Sequence, residues 1–130
     1  MSDAARVVVA GAIVSDGHLL LAQRTRPPEL AGQWELPGGK VEAGESEPDA
    51  LVRELREELG VHTAVIAPLL GDVALSGELV LRAYRVELLS GTPEPLEHSD
   101  LRWVDADALR TIDLVDADRG WMPELLGILE

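Results

Sequence analysis

The period of apolar and polar positions changes several times along the chain, and each change marks an element. Residues 6–14, RVVVAGAIV, form a nearly unbroken β-branched run, which predicts a strand buried on both faces. Asp16-Gly17 is a hairpin signal, and residues 19–23 read as the returning strand. Residues 33–36 predict a short strand with Trp34 in the core. The period then becomes helical. Leu51, Leu55 and Leu59 recur at every fourth position and predict a helix over Glu47–Leu59. Ser46 is its N-cap, Asp49 the capping-box partner, Pro48 lies in the tolerant first turn, and Gly60 closes it. Strand patterns return over 61–70, 78–89 and 101–104. The second of these places Arg82 and Tyr84 on one face and Leu81 and Ala83 on the other. Residues 71–77 read as a loop. Asp105 caps a short helix over 106–109, and a loop containing Asp113, Asp116 and Asp118 leads to a last helix over 123–129. Strands interleaved with helices predict an α/β domain with a mixed sheet, spanning residues 1–130 as one unit.

Composition narrows the partners. The formal net charge is −13, so no basic stripe exists to replace phosphate counterions, and a nucleic-acid polymer is not an expected partner. A nucleotide remains compatible, because a bound metal and a few local cations can outweigh the global field. With no cysteine, a disulfide scaffold, a thiolate metal site and a thiol nucleophile are all excluded. No apolar run is long enough to span a membrane, and the start lacks a basic segment leading into an apolar one. Neither a membrane partner nor a signal peptide is expected, and the expected location is the cytoplasm.

The predicted helix carries an unusual polar face. Glu54 meets Glu57 and Glu58 at three and four residues' distance, where like charges each cost a few tenths of a kcal/mol. The last turns also disfavour anions through the helix dipole. Arg53 relieves part of this through Glu57. One reading is a solvated acidic face. The other comes from the leader, where Gly38, Gly39 and Gly44 let backbone approach the carboxylates closely, with Glu45 just before the helix. Clustered carboxylates beside an exposed carbonyl suit a hard cation, Mg²⁺ or Mn²⁺, which would also grip phosphate oxygens.

Gly39, Glu45 and the run Arg53-Glu54-Leu55-Arg56-Glu57-Glu58-Leu59-Gly60-Val61 fall at the spacing of the Nudix box, and the chain resembles the Nudix hydrolases. That resemblance implies an α/β/α sandwich with a central mixed sheet and a loop–helix–loop that uses divalent metal to hydrolyse a nucleoside diphosphate linked to another group. The LAQR, WELPGGKVEAGE, EH–LRWV and ADRGW segments extend the similarity to MutT-type members. They resemble most the actinobacterial MutT-like branch, which acts on 8-oxo-dGTP and on cytosine nucleotides such as CTP, dCTP and 5-methyl-dCTP. The implied substrate is thus a nucleoside triphosphate, cut at the β-phosphorus into monophosphate and pyrophosphate.

Carried onto this sequence, the resemblance assigns metal binding to the Gly38 carbonyl, Glu54, Glu57, Glu58 and Glu97. The same glutamates would be catalytic, with Glu54 or Glu97 as the general base. It assigns substrate contacts to Arg24 and Asp118; Glu35, next to the glycine turn, and Lys40 are also expected to bind substrate. An ionised Asp118 would read the base as an acceptor; its alternative role is to cap the last helix. Arg26 and His98 read as bystanders. An ADP-ribose or nucleotide-sugar pyrophosphatase of the same family is the alternative activity, but residues 73–79 hold neither the proline of those members nor the tyrosine of dinucleoside-polyphosphate hydrolases. A binding module without catalysis would require a lost box glutamate, and all are present. Trp121, Met122, Leu125 and Leu126 are expected to pack on the chain's own sheet, with monomer and homodimer both open.

Overall fold

The β-branched run becomes β1 (Arg6–Ser15), the strand that serves both faces of the sheet. The computed structural model describes residues 6–75 and 77–130; the first five residues, and residue 76 of the expected 71–77 loop, lie outside them. Along Arg6–Ile13, β1 pairs in parallel with β7 (Leu79–Ser90). On its other side Val8–Ala10 pair antiparallel with β4 (Gly38–Lys40). Strands β5 (His62–Pro68) and β6 (Val73–Ala74) add to β7 antiparallel. The end of β1 turns through Asp16 and Gly17, with φ of 50° and 72°, into β2 (His18–Gln23). Positive φ at both turn residues is what a two-residue hairpin loop of this twist requires. Strand β2 is flanked by β3 (Trp34–Glu35) and β8 (Asp100–Val104), which completes a mixed sheet.

Alternation along β1 and β2 splits the core in two. Val9, Ile13 and Leu20 face α1 (Glu47–Leu59) through Ala50, Leu51, Leu55 and Leu59. Ala10, Ala12, Leu19 and Leu21 face the opposite layer, where Leu109 of α2 (Ala106–Thr111) packs with Trp121 and Leu125. Trp34 belongs to this second core, and Leu125 lies in α4 (Met122–Leu129). The last helix therefore packs on its own sheet. Leu51, Leu55 and Leu59 are fully buried, and each contributes about 2 kcal/mol. That outweighs the few tenths lost to each like-charge pair, so packing holds α1 in place whatever its acidic face costs. The Ser46 hydroxyl accepts the Asp49 N–H, and Gly60, at φ 72°, ends the helix as expected. The Asp105 side chain caps α2 through the Ala108 N–H.

Three elements were not predicted. The glycine turn is a strand, β4, because Gly38 and Gly39 run alongside β1. A Cβ on Gly38 would overlap the Val9 carbonyl, so the small residue is needed for the pairing that its own propensity disfavours. The expected 71–77 loop contains β6, a two-residue addition to β7. The loop before the last helix winds one turn, α3 (Asp116–Arg119).

Candidate active site

Arg53 assembles the acidic loop. Its Nε and Nη2 donate to the two oxygens of Glu45 at 2.7 and 2.9 Å, Nη1 donates to Glu54 at 2.9 Å, and Nη2 reaches the Lys40 carbonyl at 3.1 Å. The loop, β4 and α1 are thereby tied to one planar group, a geometry that suits guanidinium and not ammonium. The bonds from Arg53, helped by the Glu42 N–H, hold the Glu45 carboxyl down at about 2. Glu45 is therefore a fixed anion that orients Arg53.

The helix glutamates occupy three different environments. Glu58 points inward and is 6% exposed, and its Oε2 has no hydrogen-bond partner among the described residues. Burial, and then the charges of Glu54, Glu97 and Glu35, push its carboxyl up to about 9, against the Gly38 N–H. Glu54 lies under Gly39, and burial raises its pKa despite the Arg53 hydrogen bond. Glu57 stands at the outer margin, half-exposed, touching Arg53 at 3.3 Å.

Glu58 faces a cleft of about 370 Å³, lined also by Gly38, Glu35, Glu97, His98, Arg24 and Arg26. Arg24, Glu35 and Gly38 also line an adjoining cavity of about 500 Å³. Its walls are the apolar Leu30, Leu36, Leu75, Leu81 and Val115, with Asp118 at one side and Lys40 at another. The structure thus brings Arg24, Glu35, Gly38, Glu58 and Glu97 to one cleft and places Lys40 and Asp118 in the next. Glu54 and Glu57 line neither.

Asp118 requires one correction. It does not cap the last helix: Trp121 is the N-cap residue of α4 and makes no side-chain cap bond, and Asp118 Oδ2 instead accepts the Leu36 N–H at 2.8 Å. Asp118 is 3% exposed, and burial pushes its carboxyl up to about 7.

His98, read from the sequence as a bystander, also lines the cleft. Its side chain is 8% exposed, its Nε2 donates to Glu35 Oε2 at 3.0 Å, and Arg24 Nη1 donates to Glu35 Oε1 at 2.7 Å. Position beside Glu97 was the one sequence signal for it.

Among the described residues no three His, Asp or Glu side chains already converge on one metal-sized point. The donor set nevertheless fits a divalent cation. A buried carboxylate oxygen without a partner, in a group whose ionised form is raised in energy by three neighbouring anions, is the condition that a bound cation relieves.

A family description, NUDIX domain, matches residues 5–125. A Mycobacterium tuberculosis (strain H37Rv) protein, provisionally named 8-oxo-dGTP diphosphatase 2, is 56% identical over 123 residues, 92% of this chain and 87% of that protein. The CTP pyrophosphohydrolase of Escherichia coli K12 is 44% identical over 115 residues, 85% of this chain and 84% of that protein. Among solved structures, the E. coli ORF135 protein superposes with a TM-score of 0.77 at 37% identity, covering 95% of this chain and 88% of that one. A MutT Nudix hydrolase from Burkholderia pseudomallei gives 0.70 at 35% identity, covering 94% and 95%.

Proposed function

Since the chain belongs to the Nudix family of hydrolases, we propose that it is a divalent-metal-dependent nucleoside triphosphate pyrophosphohydrolase. Its products are nucleoside monophosphate and pyrophosphate. Its substrates are 8-oxo-dGTP and the cytosine nucleotides CTP, dCTP and 5-methyl-dCTP, which makes it a sanitiser of the nucleotide pool in the cytoplasm. The names of two relatives support that substrate class. The observation that carries the reading is the buried Glu58 carboxylate, one oxygen of which has no partner among the described residues, at a cleft that adjoins an apolar cavity of nucleoside size. Among the described residues no helix is long and apolar enough to cross a membrane.

The Gly38 carbonyl, Glu54, Glu57, Glu58 and Glu97 would hold Mg²⁺ or Mn²⁺. Bound there, the cation supplies neutralisation of the triphosphate charge during an in-line displacement. The chain's own residues do the rest. Glu54 or Glu97 takes the proton of the attacking water. Arg24, braced by Glu35, and Lys40 meet phosphate oxygens. The apolar walls hold the base, and Asp118 reads its edge. Oδ2 is taken by the Leu36 N–H, which leaves Oδ1 for the base. Ionised, Asp118 accepts from the guanine N1–H and amino group or from the cytosine amino group; protonated, it can also donate.

The test follows nucleoside monophosphate and pyrophosphate separately over a panel of 8-oxo-dGTP, CTP, dCTP, 5-methyl-dCTP, UTP and ADP-ribose, the last of which can yield only monophosphates, with Mg²⁺ and with chelator. The expected result is Mg²⁺-dependent pyrophosphate from 8-oxo-dGTP or the cytosine nucleotides. Turnover of ADP-ribose alone would overturn the substrate class.

A further inference from the structure

Arg24 and Glu35 line both cavities, and both oxygens of Glu35 are engaged. Oε1 takes Arg24 Nη1 at 2.7 Å, and Oε2 takes His98 Nε2 at 3.0 Å. Arg24 is held a second time by its own Nε, which donates to the Arg26 carbonyl at 3.0 Å. His98 is itself placed by backbone. The next residue, Ser99, donates its N–H to the Gln23 carbonyl at 3.1 Å, and Asp100 pairs with Gln23 at the start of β8. The segment carrying His98 is therefore pinned to the residue just before Arg24. The other ring nitrogen, Nδ1, has no partner among the described residues and lies 3.9 Å from Glu58 Oε1, beyond hydrogen-bond reach.

We propose that His98 is a positioning residue: by occupying Glu35 Oε2 it fixes Glu35, and through Glu35 the Arg24 guanidinium, at the junction of the nucleoside cavity and the carboxylate cleft. This rests on the nucleotide-hydrolase reading above. With both oxygens bound, Glu35 is held away from Glu58 and Glu97, and Arg24 is presented in one orientation before substrate arrives. A pre-ordered guanidinium loses less freedom on meeting a phosphate than one that must first be found among many rotamers. The role is different from that of a metal ligand or proton carrier at Glu58, because it runs through Glu35.

The test compares His98→Ala, His98→Gln and His98→Asn, alone and in a Glu35→Ala background. The readouts are kcat, KM and the Kd of a non-hydrolysable triphosphate analogue, with Tm alongside. A glutamine carboxamide can put its N–H₂ near the place of Nε2; asparagine cannot reach it. The expected result for His98→Ala and His98→Asn is a KM and an analogue Kd raised about tenfold, as for one lost hydrogen bond to a charged group, with kcat within about threefold. His98→Gln should recover most of the binding, and in the Glu35→Ala background none of the three should add a further change. Equal losses for Gln and Asn, or an undiminished effect without Glu35, would overturn the proposal, as would a fall in kcat with an altered Mg²⁺ requirement. If His98→Ala does not fold, the Gln–Asn contrast decides. A wild-type protein that binds the analogue but turns over no nucleotide would fail the functional reading and leave this comparison intact.

Discussion

The backbone of Gly39 lies against the Glu54 carboxylate so closely that a Cβ there would overlap the carboxyl carbon and both oxygens. Gly38 beside it is equally confined, but by the backbone of Val9 and Ala10. The two glycines should therefore fail differently. In Gly39→Ala the side-chain end of Glu54 can swing away, so we predict a fold within about 1 kcal/mol of wild type and turnover reduced at least about tenfold. In Gly38→Ala only backbone can yield, and the expected loss is about 2 kcal/mol or more. Thermal melts with steady-state turnover on both variants check this; wild-type turnover in Gly39→Ala would contradict it.

Stability without metal should fall as pH rises. The Glu58 carboxyl sits at about 9 in the folded chain against an ordinary 4.5, so between those values the folded protein keeps a proton that the unfolded chain has released. Unfolding then releases a proton, and stability is lost progressively as pH climbs through that window. Asp118 acts in the same direction, but only between 3.8 and about 7. Melts in chelator from pH 7 to 9 isolate Glu58: Tm should decline for wild type and stay flatter for Glu58→Gln. Saturating Mg²⁺ should offset the decline, because a cation favours the ionised carboxylate and binds more tightly as pH rises. A Tm that rises with pH in chelator, or an equal decline in Glu58→Gln, would contradict the assignment.

Much of the fold was legible because local and tertiary signals coincide. The α1 helix matches its expected span because Ser46, Gly60 and the leucine spacing act within a few residues of one another. The Asp16-Gly17 turn and the Asp105 cap are local in the same way. What escaped is set by residues far apart. Strand β4 consists of two glycines and a lysine, with no strand propensity; the β1 backbone makes it a strand. Arg53 meets Glu45 across the helix N-cap, outside helical periodicity. His98 meets Glu35 across 63 residues, and Asp118 meets Leu36 across 82. The raised pKa values of Glu58 and Asp118 are led by burial, which only the folded chain creates.

Asp118 should govern the choice of base. In Asp118→Ala, the ratio of kcat/KM for 8-oxo-dGTP or CTP to that for UTP should fall by the equivalent of about 1.5–3 kcal/mol, the range for a buried hydrogen bond to a charged group. The same assay reports on the other role visible in the structure, support of the Leu36 N–H. An unchanged ratio with a lowered Tm would leave Asp118 with that supporting role alone.

The most direct test of the account is the turnover of Glu58→Gln at saturating Mg²⁺. The substitution keeps the shape of the side chain and removes the ionisable group whose charge the cation is proposed to balance, and with it the loss of stability that ionising a buried carboxyl causes as pH rises. The protein should fold as well as wild type or better, its Tm should no longer respond to Mg²⁺ as wild type does, and kcat for pyrophosphate release should fall at least about a hundredfold. Near-wild-type turnover in a folded Glu58→Gln protein would contradict the placement of the metal site, and with it the catalytic reading of the cleft.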